Sequence, residues 1–302
     1  MNRYARPRTV WLFLVPALAF YLSFVALPIA QSFYVSLFDW PTHAAAPARF
    51  VGLENYARLV NDGVFWKALS HNVALVVLSL VIQLPVALFL AALLSGRVFA
   101  RGFFRTVYFT PMVLPTVVIA LVWRQILLPA TSAGLLTQLL AWLGLPSPAD
   151  GFLGDPRFAL LSVILTISWR YVPFHMVLFI AGIETIPEEL YEAARIDGAN
   201  ARQLFRHITL PSLAPVVRIS AVLSIVGSLK YFDLVYVMTG GGPPEHVTEL
   251  MTTYMFKIGI DQQTIGYGSA VAVAGFLISM LVVVAVMCFR WHRRPAVTEV
   301  HP

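Results

Sequence analysis

Six apolar runs, each long enough to cross a lipid bilayer, restrict the fold of this chain more than any other feature. A crossing helix needs about 20 mostly apolar residues. The runs cover about 10–38, 73–94, 107–128, 158–183, 213–238 and 270–289. Inside a bilayer every backbone amide must be bonded within the protein, so runs of this length are read as helices. Composition agrees: 59% of the 302 residues are hydrophobic and 12% charged, with a mean hydropathy of +0.77. The expected fold is all-α and polytopic, with six spans in a single transmembrane domain over 1–302. Pro16 and Pro28 are expected to interrupt the first run, Gln83 and Pro85 to be tolerated in the second, and Pro111 and Pro115 to bend the third. The first run is longer than a signal-peptide core and lacks a small-residue cleavage site, so it is read as an uncleaved span.

Orientation follows from where the positive charges fall. With both termini inside, the inner segments hold Arg3, Arg6, Arg8, Arg97, Arg101, Arg105, Arg195, Arg202, Arg206, Arg290, Arg293 and Arg294, against Arg49, Arg58, Lys67, Arg157 and Lys257 outside. Lysine and arginine are retained on the cytoplasmic side, so both ends are expected there. The net charge of +6 is thereby explained by topology and not by nucleic acid. Trp40-Pro41, Asn55-Tyr56 and Phe65-Trp66 fall in the polar loop 39–71, with Phe65-Trp66 expected at the membrane interface.

The densest polar island lies between the fourth and fifth runs, in the inner loop 184–212. Thr185 and Glu188 have the spacing of a capping box, with Pro187 in the first turn, so a short helix is expected from near Ile186. Gly198 takes the left-handed conformation that ends it after Asp197. Asn200 caps a second helix over 201–208, stopped by Pro211. Two short helices meeting at a glycine form a rigid knob that another protein can grip. Ala193 and Ala194 are small enough to let a partner surface approach, and Glu192 offers a carboxylate to a cation.

Glu192-Ala193-Ala194, then Asp197-Gly198-Ala199, then Ile208, Leu210 and Pro211, resemble the cytoplasmic loop of binding-protein-dependent ABC importer permeases. The string from Tyr231-Phe232-Asp233 to Gly240-Gly241-Gly242-Pro243 resembles the same segment of sugar-importing members, of the maltose, trehalose and glycerol-phosphate type. The resemblance implies a bacterial or archaeal cell-membrane subunit that forms the translocation path and couples to a separate ATPase through 192–211. Its implied partners are a second permease, two ATP-binding subunits, an extracytoplasmic sugar-binding protein and lipid. ATP and Mg would sit on the ATPase, with no cofactor on this chain. The first outer loop is short, so the large outer domain of some maltose-type permeases is absent.

Charges at membrane depth need partners or water. Lys230 and Asp233, at i and i+3, are expected on one helix face, with Trp169, Arg170, Tyr231 and Phe232 as further candidates for a substrate path whose aromatics stack on a sugar ring. The alternative is an ion-coupled secondary transporter using Arg170, Lys230 and Asp233 as a relay, and a scaffold without transport is a third reading. The sequence holds no Gly-x-x-x-x-Gly-Lys-Ser/Thr phosphate loop, no His-Glu-x-x-His, no clustered histidines and no nucleophile elbow. With Cys288 alone there is no disulfide framework or thiolate metal cluster, and neither catalysis nor metal binding is expected.

Overall fold

The computed structural model describes residues 7–40, 47–96, 101–242 and 246–291. Arg3, Arg6, Arg97, Arg293, Arg294, Pro41 and Pro243 lie outside the described residues. Among the described residues the architecture is helical, with one two-residue antiparallel strand pair, Phe38–Asp39 with Arg49–Phe50. Four helices among the described residues are long and apolar enough to span: Leu14–Val35, Gly63–Ser95, Ala159–Glu184 and Ile265–Val286. Two bent pairs, Gly102–Val113 with Thr116–Leu127 at 96° and Ala201–Ser212 with Ala214–Leu229 at 65°, raise the number to as many as six if each pair counts as one span.

Prolines shape these helices through a repeated device. Turns Leu22–Ala26, Ser79–Gln83 and Phe205–Thr209 are widened to π geometry, and each is followed two residues later by a proline, Pro28, Pro85 and Pro211. A proline ring clashes with the carbonyl four residues earlier and donates no hydrogen bond to it. Widening the preceding turn shifts the bonding register, as where the Leu210 amide reaches the Phe205 carbonyl, and the helix continues. So Pro16 and Pro28 do not break the first span, and Pro211 does not stop its helix, which runs on to Ser212. In the third span Pro111 lies within a helix, and the bend falls at Leu114 and Pro115.

The chain divides into two compact units, 1–65 with 254–277, and 66–253 with 278–302. In the first, residues 47–65 of the expected polar loop are held by specific side-chain bonds. Asn55 Nδ2 donates to the carbonyls of Ser36 at 2.8 Å and Phe38 at 3.0 Å, and Tyr56 Oη lies 2.6 Å from Ser36 Oγ. Asp62 Oδ1 accepts from the amides of Val64 at 2.9 Å and Phe65 at 3.3 Å, which starts the next helix at Gly63, ten residues before the expected span. Its Oδ2 accepts from the hydroxyls of Tyr254 and Tyr267. Phe65, expected at the interface, is buried, while Trp66 is half exposed.

The second unit is built on Ala159–Glu184, which packs against Leu84–Ser95, Arg101–Val113 and Ala214–Leu229. At one end Leu75, Ile119, Val163, Ile164, Leu234 and Val235 form the core; at the other Met176, Phe179 and Ile180 meet Ala87 and Ala91. Lipid tails are as apolar as leucine, so close packing, not transfer from water, holds such helices together. Small residues permit it: a Cβ on Gly182 would come within 2.7 Å of Leu213 and 2.9 Å of Val216.

Candidate functional site

The loop 184–212 is a rigid two-helix element. Its first helix is Glu188–Ile196, two residues later than expected. The capping box between Thr185 and Glu188 is not formed. Thr185 Oγ1 instead donates to the Gly182 carbonyl at 2.8 Å, closing the end of the preceding span, and Ile186-Pro187 separates the helices. Gly198 has φ +83°, its amide bonds the Arg195 carbonyl at 3.0 Å, and the Ala199 amide bonds that of Ala194 at 2.9 Å. These paired bonds close the helix end in the Schellman pattern. Asn200 then caps the second helix with a box not foreseen from the sequence: its Oδ1 accepts from the Gln203 amide at 3.0 Å and its own amide donates to Gln203 Oε1 at 2.8 Å. Tyr191 Oη and Thr209 Oγ1, 2.9 Å apart, tie the two helices.

Glu192, Ala193, Asp197, Gly198 and Pro211 are exposed, Leu210 is 39% exposed, and Ala194 and Ile208 are half-buried. Ala194, Gly198 and Ile208 line a shallow cavity of about 290 Å³ between the helices. At the tip of the first helix stands Ile196, 87% exposed. Sequence reasoning missed this exposure, since the position of Ile196 within the helix gives no sign of which way it faces.

At membrane depth the expected fifth span is broken. Ala214–Leu229 ends at Lys230, and Asp233–Thr239 begins a separate helix. Asn72 explains the break: Nδ2 donates to the carbonyls of Ser228 at 3.0 Å and Leu229 at 3.4 Å, and Oδ1 accepts from the Met251 amide at 2.9 Å. Thr252 Oγ1 donates to the Tyr231 carbonyl at 2.5 Å. The helix-end carbonyls are thereby satisfied without water. Lys230 and Asp233 are therefore not on one helix face, and among the described residues no ion pair joins either of them or Arg170 into a relay.

A cavity of about 200 Å³ lies beside the break, lined by Gln83, Tyr171, Ser224, Ser228 and Tyr231 among others. Gln83 Nε2 donates to Ser79 Oγ at 3.0 Å and Ser168 Oγ at 3.3 Å, and Ser79 Oγ lies 3.2 Å from Ser228 Oγ. Among the described residues Ser224 Oγ and Tyr231 Oη are buried with no hydrogen-bond partner, and the Tyr171 ring stands edge-on to Tyr231 at 5.8 Å. Of the expected path residues only Tyr231 reaches this cavity. Trp169 is 42% exposed and packs edge-on against Trp123 at 5.4 Å; Phe232 stacks on Tyr236 at 5.1 Å; Lys230 and Asp233 are exposed. Arg170 lies 5.7 Å from the Tyr171 ring, with Nη1 buried and unpartnered. The missed residues had a legible signal, hydroxyls and an amide at i, i+4 within apolar runs: Ser79 with Gln83, and Ser224 with Ser228.

Residues 83–296 match the family described as "Binding-protein-dependent transport system inner membrane component", and the chain belongs to that family. It is similar to the "Probable ABC transporter permease protein YurN" of Bacillus subtilis (strain 168), at 40% identity over 89% of this chain and 91% of that one. It is also similar to the "Trehalose/maltose transport system permease protein MalF" of Thermococcus litoralis, at 32% identity over 91% of each. Its fold is that of a chain in the crystal structure of a bacterial ABC transporter involved in the import of the acidic polysaccharide alginate, with a TM-score of 0.80 at 22% identity, covering 94% of this chain and 96% of that one. The chain is a multi-pass membrane permease subunit of an ABC importer, and these relatives favour that reading over an ion-coupled transporter.

Proposed function

We propose that this chain imports a sugar, as one of two unequal permeases working with two ATP-binding subunits and an extracytoplasmic binding protein. Supporting the substrate class are a relative named for trehalose and maltose and another, 31% identical over 82% of each chain, named for lactose. The polar cavity carries the reading on this chain itself. Two orphaned hydroxyls, Ser224 and Tyr231, beside an amide and an aromatic edge suit a polyhydroxylated ring. At about 200 Å³ the cavity is below the roughly 300–1,000 Å³ of sites that enclose larger ligands, so the path must widen before an oligosaccharide enters.

On this reading both termini lie in the cytoplasm, and residues 1–302 act as one transmembrane domain. Glu192, Ala193, Ala194, Asp197, Gly198, Ile208, Leu210 and Pro211, together with Ile196, form the ATPase-facing element. When the ATPase closes on ATP, this element moves as a unit, because Gly198, the Asn200 box and the Tyr191 hydroxyl leave it little internal freedom. ATP and Mg belong to that partner. Tyr231 contacts sugar, while Trp169, Arg170, Lys230, Phe232 and Asp233 line the approach or support it.

The test is to purify the tagged chain from its native membrane in mild detergent, identify its companions by mass spectrometry, and reconstitute them in vesicles. Recovery of an ATPase and a second permease, with sugar-stimulated ATP hydrolysis in the presence of the binding protein, is expected. A chain that emerges alone and moves solute without ATP would refute the reading.

A further inference from the structure

A cavity of about 930 Å³ lies between the Leu84–Ser95 stretch and the two-helix element, apart from the sugar site. One wall is apolar and belongs to a membrane-spanning helix: Leu88, Phe89, Ala92 and Leu93, with Ile183 opposite. Phe89 and Leu93 are exposed. At the other end the lining turns polar with Arg195 and Arg202. Among the described residues neither arginine has an ion-pair or hydrogen-bond partner, whereas the lining carboxylate Glu184 is held by Arg105 at 3.0 Å. That leaves two guanidinium groups against the single carboxylate of Glu188.

An apolar trough that opens along a span and ends at a net positive charge has the chemistry of one lipid class. We propose that this groove seats an anionic glycerophospholipid, its acyl chain along Leu88, Phe89 and Ala92 and its phosphodiester between Arg195 and Arg202. Guanidinium groups bind phosphate oxygens through charge-assisted hydrogen bonds, and their attraction strengthens at the low-dielectric edge of a bilayer. A zwitterionic lipid carries no net charge to match the surplus cation, so the site discriminates by headgroup. Tyr191 and Thr209 line the same groove, so the lipid touches the bond that ties the two helices. A bound anionic lipid therefore stiffens the element that meets the ATPase.

The test uses the intact importer, extracted from membranes containing both phosphatidylglycerol and phosphatidylethanolamine and analysed by native mass spectrometry. Phosphatidylglycerol should be retained on this subunit, and Arg195→Gln with Arg202→Gln should lower its occupancy by about tenfold or more. Ala92→Trp, which fills the trough without altering the arginines, should lower it likewise while the ATPase still co-purifies. Inorganic phosphate should not compete, since it lacks the acyl chain. The proposal is overturned if both variants retain lipid at the original level, if phosphatidylethanolamine is held equally well, or if phosphate displaces the lipid. It is also overturned if a Phe89→Cys variant cross-links to the second permease, giving the trough to protein. Lipid retention is measured without transport, so a negative result leaves the importer reading standing.

Discussion

Tyr191 Oη and Thr209 Oγ1, 2.9 Å apart and eighteen residues apart in the chain, join the two helices on either side of Gly198. Thr209 is buried and falls in the π turn that precedes Pro211, so one widened turn both admits the proline and aims a hydroxyl at the neighbouring helix. Tyr191→Phe removes the tie at a cost of about 1 kcal/mol. Sugar-stimulated ATP hydrolysis should fall, while the amount of assembled transporter stays unchanged. Full stimulation in this variant would show that the hydroxyl pair does not stiffen the element.

Gly198 is held at φ +83°, and a Cβ there would meet nothing within 4 Å. The requirement is conformational, not one of space. A β-branched residue in that region costs roughly 1–2 kcal/mol or more, whereas asparagine visits it readily. Gly198→Val should abolish uptake without preventing membrane insertion, and Gly198→Asn should keep most of it. Equal uptake by both variants would remove the bend from the coupling mechanism.

Tyr231 and Ser224 bury hydroxyl oxygens that find no hydrogen-bond partner of good geometry among the described residues. Leaving such a group unpaired costs about 1–3 kcal/mol, a cost sustained when the partner is a ligand. Tyr231→Phe and Ser224→Ala should therefore leave thermal stability equal or higher while raising the sugar concentration needed for half-maximal transport several-fold. Loss of stability together with unchanged transport would assign these hydroxyls to packing.

Asp62 connects the start of the Gly63–Ser95 helix to Tyr254 and Tyr267. Burial by itself raises its pKa, but the two tyrosine hydroxyls and the amides of Phe65 and Val64 outweigh it and hold the group below the ordinary 3.8. A carboxylate depressed on folding contributes stability at pH values above its unfolded pKa, and the contribution is lost as the pH falls through the lower folded value. Thermal unfolding followed from neutral to acid pH should show this loss in the parent chain and not in Asp62→Asn. Identical pH dependence in the two would exclude Asp62 as the acid-sensitive group.

Apolar runs long enough to cross a bilayer have no other stable fold, so the helical polytopic class was determined by the sequence alone. The bend was as well, because only a residue without a Cβ sits easily at positive φ between Asp197 and Ala199. Asn200 likewise declared itself as a cap by residue type and position. Other features depended on atoms far apart in the chain. Thr185 had a choice of partners and bonded the Gly182 carbonyl, which local spacing could not reveal. The break at Lys230 is held by Asn72 and Thr252, from two distant segments, so a run that reads as one apolar span ends where its carbonyls find side-chain donors. The polar cavity arose the same way, from Gln83 and Ser224 on different helices and Tyr231 in the break. Residue types and periodicity set which helices form; long-range hydrogen bonds and close packing decide where they break and which side chains meet.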